Sequence, residues 1–174
     1  MSKEEIAEWR ELAKLANQGY GKGLLLVTKT DASRPNAMTI GWGLTGILWR
    51  RPVFMVAVRH SRYTHTLLEQ NDEFTVNIPS EGMDKILDYC GTTSGRSKDK
   101  FKELGLKTAP GRKTKVPVIV GCKGYFECSV VAKFEAGKGN VKEDVVSAVY
   151  PSGDFHTLYF GEILAAYGPK TGTP

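Results

Sequence analysis

Cysteine is scarce in this chain and forms no pattern. Cys90, Cys122 and Cys128 are odd in number and show no CxxC spacing. That argues against a disulfide framework or a structural zinc site, and it suits a reducing compartment. Histidine is equally scarce. His60, His65 and His156 make no HExxH pattern, and His60 and His65 are not at the spacing of helix neighbours, so no metal site is expected. No apolar run is long enough to span a bilayer. Met1-Ser2-Lys3-Glu4-Glu5-Ile6 lacks the apolar stretch of a secretory signal. The expectation is a cytoplasmic protein with no membrane partner. There is no internal repeat and no linker, so residues 1–174 read as one domain.

The rest of the composition is ordinary. Hydrophobic residues make up 41% and charged residues 25% of the 174, which suits a folded domain with a real core. The net charge of +5 favours anionic partners without choosing among phosphate ligands, nucleic acid and acidic proteins.

Residues 3–17 carry Ile6, Trp9, Ala13 and Ala16 at helical spacing, predicting an amphipathic helix. Asn17-Gln18-Gly19 ends it, and the glycine-rich lead-in runs to residue 22. Strand patterns follow at 24–28, 37–40, 53–58 and 74–78, with turn chemistry from Thr30 to Asn36. Over 125–135, Phe126, Cys128, Val130, Ala132 and Phe134 alternate with mostly polar residues, predicting a half-buried antiparallel strand. Further strands are expected at 145–149 and 157–164. Short helices should start at Ser61, with that serine as N-cap, and near Ser80, ending at Cys90-Gly91. A third should cover 98–104, with Gly105 as C-cap. Many strands with short helices between them suggest a closed antiparallel barrel with helical inserts. Residues 168–174 read as a loose tail.

Gly41-Trp42-Gly43-Leu44-Thr45-Gly46 matches GxGxxG letter for letter. A dinucleotide site needs a helix to open there. Ile47-Leu48-Trp49-Arg50-Arg51-Pro52 follows instead, and its β-branched, aromatic and proline content opposes one. The glycines read better as places where backbone passes close to something flat or bulky. Gly91-Thr92-Thr93-Ser94-Gly95 is neither a nucleophile elbow nor a P-loop, since its serine is one place late and no Gly-Lys-Ser/Thr follows.

Anion binding is the remaining signal. Ser61 capping a helix leaves free N–H groups pointing outward, with Arg59 and Arg62 beside it and Tyr63 and Thr64 in the first turn. A positive Arg62 there opposes the helix dipole unless an anion sits between. Ser94, Gly95, Arg96 and Ser97 repeat the theme with hydroxyls, open backbone and a fork-shaped donor, and Lys100 lies four residues past Arg96. By composition alone, a solvated basic face with an ordinary cap explains these residues better. Nucleic acid is the weaker alternative, because it needs an exposed basic stripe with stacking aromatics, so no nucleic-acid partner is expected.

Four segments decide between these readings when taken together. Asn36-Ala37-Met38-Thr39-Ile40-Gly41-Trp42, the 59–64 segment, Cys90 to Arg96 with Asp99-Lys100-Phe101, and His156 to Ile163 occur in this order. The series closely resembles the flavin reductase-like, FMN-binding split-barrel family, which includes the flavoredoxins, over roughly residues 23–167. The resemblance implies a mainly β fold with short helices. This is a split β-barrel of Greek-key type with an N-terminal helix, working as a homodimer with FMN near the interface. It implies that Asn36, Met38, Thr39, Gly41 and Trp42 line the flavin ring. Arg59, Ser61, Arg62, Tyr63 and Thr64 would hold the phosphate and ribityl chain, while Ser94, Gly95, Arg96 and Lys100 close over the phosphate. His156 is implied as the catalytic residue, next to the flavin and its reductant. NADH or NADPH is the implied co-substrate. An electron carrier supplied by a protein partner, without a nicotinamide, stays open beside it.

Overall fold

A computed structural model describes residues 3–30 and 34–168. The tail expected beyond 168 and the centre of the turn at 31–33 lie outside the described residues. Gly168 itself is tied down, since its N–H donates to Glu8 Oε1 at 2.9 Å.

Helix α1 (Lys3–Gly19) runs two residues past its expected end. It buries Trp9 and Ala16 against the sheet, as its periodicity predicts, together with Leu12, whereas Ala13 is only half-buried. The strands are β1 (Leu24–Lys29), β2 (Pro35–Ile40), β3 (Gly43–Leu48), β4 (Arg51–Arg59), β5 (Glu73–Ile78), the short pair β6 (Thr108–Ala109) and β7 (Val118–Ile119), β8 (Gly124–Glu135) and β9 (His156–Tyr167). Between them lie α2 (Tyr63–Gln70), α3 (Asp84–Thr92), α4 (Lys100–Leu104) and α5 (Glu143–Val149). Among the described residues, no helix is long and apolar enough to cross a membrane.

Seven strands form one antiparallel sheet in the order β2-β1-β5-β8-β9-β4-β3. The sheet curls, so both faces of its central strands are covered. In β1, Leu24 and Leu26 join the inner core with Phe54, Phe74, Phe126 and Tyr159. Leu25 and Val27 face the other way, into a second core with Leu87, Phe101 and Val118. Burial on both faces is why β1 reads as an unbroken apolar run rather than an alternating one. Gly161 on β9 lies where the strand crosses the Phe74 ring, and a Cβ there would come within 2.5 Å of that ring.

The residue pattern suggested a closed barrel, but β2 and β3 are unpaired edges. The barrel is split. Met38, Thr39 and Ile40 of β2 face Ala57 and Arg59 of β4 across a cavity. That cavity follows the open seam.

Five local expectations change. Residues 145–149 are helical, not extended. Glu143 and Asp144 occupy the first turn of α5, where acidic groups meet the positive helix end, and this outweighs the β-branched run. Strand β3 lies in the glycine-rich segment for which no element was expected. Helix α2 begins at Tyr63 with Arg62, not Ser61, at the N-cap position and no side-chain cap. Helix α3 begins at Asp84 rather than near Ser80. Finally, β8 is half-buried only in its outer half. Tyr125 and Glu127 are buried along with Phe126 and Cys128, and irregularities at Glu127/Cys128 and Val130/Ala132 shift its register.

Candidate functional site

The seam holds two adjoining cavities. The first, of about 200 Å³, is lined by Met38, Thr39, Gly41, Trp42, Ala57, Arg59, Gly91 and His156. The second, of about 90 Å³, is lined by Asn36, Ser61, Tyr63, Thr64, Ser94, Gly95 and Lys100. Met38, Arg62 and Gly91 border both, so the two form one groove with a wider end and a polar end. Every residue expected at the site borders this groove except Arg96. Its guanidinium donates to Ser61 O at 3.0 Å and Thr66 Oγ1 at 3.1 Å and lies 5.4 Å from the centre of the Tyr63 ring. Arg96 therefore braces the start of α2 from outside.

The polar end is held by buried bonds. Asn36 Nδ2 donates to Thr64 Oγ1 at 3.1 Å, joining β2 to α2. Gly95 approaches the Asn36 carboxamide so closely that a Cβ would overlap its oxygen. Lys100 is buried, and its ammonium donates to Ala37 O at 2.7 Å and Cys90 O at 3.0 Å. Burial pulls its pKa down, with the Arg62 charge acting in the same direction. Lys100 thus ties α4 to β2 and α3, beneath the groove rather than across it. Thr39 Oγ1 donates to Leu87 O at 2.6 Å and fixes α3 against the other end.

Ser61 does not cap a helix. Its hydroxyl donates to Asp154 Oδ2 at 2.7 Å and its N–H to Oδ1 at 3.2 Å. Burial pushes the Asp154 carboxyl up, but the Ser61 bonds and the Arg59 and Arg62 charges outweigh it and hold it below the usual range. Arg59 is equally committed. It donates to Asp154 O at 2.6 Å and Val149 O at 3.2 Å and lies 5.3 Å from the Tyr150 ring centre. A cation on the last carbonyls of α5 is a favourable end for a helix. Arg62 differs from both. Among the described residues, its guanidinium makes no hydrogen bond or ion pair, although it borders both cavities.

His156 closes the wide end. It is 7% exposed, and its Nδ1 is 2.8 Å from the Tyr150 hydroxyl, which leaves Nε2 as the other polar atom of the ring. Trp42 packs beside it, with ring centroids 4.8 Å apart at 45°. Burial, then the Arg59 charge, lowers the His156 pKa to about 4. The ring is neutral at neutral pH and can give or take one hydrogen bond without adding charge.

Asp154 and Tyr150 had no signal of their own in the sequence. Asp154 stands two residues before His156, the one hint available. The arrangement as a whole offers a slot between β2 and β4, a neutral imidazole at one end and, at the other, a guanidinium that is unpaired among the described residues.

The family model described as flavin reductase-like domain matches residues 17–174. An uncharacterized protein of Archaeoglobus fulgidus is 34% identical over 135 residues, covering 78% of this chain and 66% of that protein, so the chain spans just under two thirds of that relative. Among solved structures, a flavoredoxin of Desulfovibrio vulgaris (Miyazaki F) superposes with a TM-score of 0.68 at 28% identity, covering 85% of this chain and 69% of the other. A flavoredoxin from Methanosarcina acetivorans gives 0.68 at 28% identity, covering 87% and 70%.

Proposed function

The chain belongs to the flavin reductase-like domain family, and from that premise we propose that it binds FMN along the seam and carries reducing equivalents through it. The observation that carries the proposal is Arg62, a guanidinium bordering the groove with no hydrogen-bond or ion-pair partner among the described residues, at the start of a helix whose Tyr63 and Thr64 N–H groups are likewise unbonded there. An anion with a flat apolar body satisfies both ends of such a groove, and the donor set fits a phosphate at the polar end. Arg62, Tyr63, Thr64 and Ser94 hold the phosphate and ribityl chain in this reading, with Asn36 and Gly95 shaping the wall and Ser61, whose donors go to Asp154, fixing the start of α2. Lys100, Arg59 and Arg96 act by fixing the elements that carry those donors. Met38, Thr39, Gly41 and Trp42 flank the ring.

FMN, when bound, supplies the hydride and electron chemistry. The chain keeps water from the ring, orients it from β2, and presents the neutral His156 Nε2 to the ring or to an incoming donor. NADH or NADPH is the proposed donor. A protein donor is the second reading, favoured by the two similar flavoredoxins. The three thiols, all free and buried, suit a reducing cytoplasm. Leu44, Ile47, Leu48 and Trp49 leave exposed apolar surface along the edge strand β3 and its turn, with Phe134 exposed on β8. In this reading a second copy of this chain covers that surface, with the FMN groove near the contact.

The purified protein should be yellow, or should quench added FMN fluorescence, at about one flavin per chain. A colourless protein that leaves FMN fluorescence unchanged would remove the proposal. NADH or NADPH oxidation in air above background supports the reductase reading, whereas its absence in the flavin-loaded protein leaves the carrier reading.

A further inference from the structure

The fold brings together two histidines that sequence spacing had set apart. His60 follows the last residue of β4, and His65 lies in α2. Their rings meet edge to face, with centroids 4.9 Å apart at 72°. Glu135, at the far end of β8, places Oε2 at 2.6 Å from His60 Nε2. One ligand-capable atom from each of the three lies within 4.8 Å of the others.

Beneath them is the hydroxyl of Thr157, which is fully buried. Thr157 Oγ1 lies 3.2 Å from His60 Nε2, 3.0 Å from His65 Nε2, and 2.9 and 3.0 Å from the two Glu135 oxygens. A hydroxyl has one proton to give and two lone pairs to receive with. Four polar atoms compete for it, so the network is crowded around a centre that cannot satisfy all of them. Two imidazoles and a carboxylate converging on one point are the donor set of a divalent transition ion. His60 and Glu135 have side chains 47% and 57% exposed, which leaves an entry path and room for water as a further ligand. The neighbouring cation on β8, Lys133, is already paired with Glu69 at 2.5 Å and does not oppose a second positive charge in full.

We propose that His60, His65 and Glu135 bind one divalent transition ion of the zinc class, with Thr157 as the positioning residue that orients the ligands from below. Nitrogen ligands select zinc, cobalt or nickel over magnesium and calcium. The site clips the end of β4, α2, β8 and β9 together. It stands apart from the flavin reading, since none of its three ligands borders the groove.

The test uses the untagged full chain, stripped with chelator and titrated with zinc chloride by calorimetry and with cobalt chloride by visible absorption. One saturable ion per chain is expected, with a cobalt spectrum of reduced coordination number. His60→Ala, His65→Ala and Glu135→Gln should each weaken zinc by at least about tenfold. Thr157→Val should weaken it by about tenfold, and Thr157→Ser should restore it. His60 is exposed enough that its alanine variant should fold, which circular dichroism checks. No saturable zinc binding, binding that survives all of the ligand substitutions, or calcium binding as tight as zinc would each overturn the proposal.

Discussion

At Arg62 a guanidinium borders two joined cavities and, among the described residues, makes no ion pair or hydrogen bond. If it holds a phosphate, Arg62→Ala should weaken FMN by about 10- to 100-fold, the value of a charge-assisted bond. Riboflavin, which lacks the phosphate, should bind nearly as before. Fluorescence titration of both flavins measures the difference, and equal losses would give Arg62 another role. His156 makes a second prediction, about stability. Its pKa is about 4 when folded and about 6.5 in an unfolded chain. As pH falls from about 6.5 to 4, the unfolded chain takes up a proton that the folded one refuses, so stability declines across that window, by at most about 3 kcal/mol. Urea midpoints at pH 7 and pH 5 should diverge less for His156→Gln than for the unchanged chain. Most groove residues were legible because they lie in short runs whose chemistry is local: Asn36 to Trp42, Ser61 to Thr64, Ser94 and Gly95. Asp154, Tyr150 and the His60–His65–Glu135 cluster were not, because each depends on chain segments far apart in sequence. Glu127 is the extreme case. It is a fully buried carboxylate that accepts N–H bonds from Arg112, Lys113 and Thr114 at 2.7, 2.7 and 2.8 Å and the Tyr167 hydroxyl at 2.6 Å. In the sequence it looks like one more polar residue on an alternating strand.

Among the elements, those marked by burial or by a cap were readable, the short α4 with Gly105 as its C-cap included, and those without such a mark were not. Helix α1 and strands β1, β4, β5 and β9 follow from hydrophobic spacing that burial enforces. Helix α5 buries no residue, so no packing signal marks it, and its valines mislead. Strand β3 hides in a run of glycines and is exposed along most of its length. Its turn explains part of the difficulty. Trp49 and Arg50 connect β3 to β4 with φ of 51° and 61°, the left-handed pair of a tight hairpin that normally carries asparagine or glycine. Each such residue costs about 1–2 kcal/mol. Arg50→Gly should therefore stabilise the protein by about 0.5–1 kcal/mol after the added freedom of glycine when unfolded, read as a higher denaturant midpoint. Trp49 should stay, since its ring meets Phe160 edge-on at 6.3 Å.

For the whole molecule, the exposed apolar surface of β3 makes the association prediction. Ile47 is 63% exposed in the single chain, so Ile47→Glu should fold normally yet shift light-scattering mass from two copies toward one. A native mass of one chain would remove the dimer. The split in the barrel was implied by the family resemblance and not by the residue pattern, because an open seam and a closed one bury similar strands. The strand order carries a further consequence, for birth on the ribosome. β4 and β5 are separated by about a dozen residues along the chain, yet β8 and β9 stand between them in the sheet. Until residues 124–167 have left the exit tunnel, β5 and β4 each present an apolar edge with no neighbour to pair with. Nascent chains of this protein thus pass through a stage with a three-stranded piece, β2-β1-β5, and a separate β3-β4 hairpin, and the last two long strands zip them into one sheet.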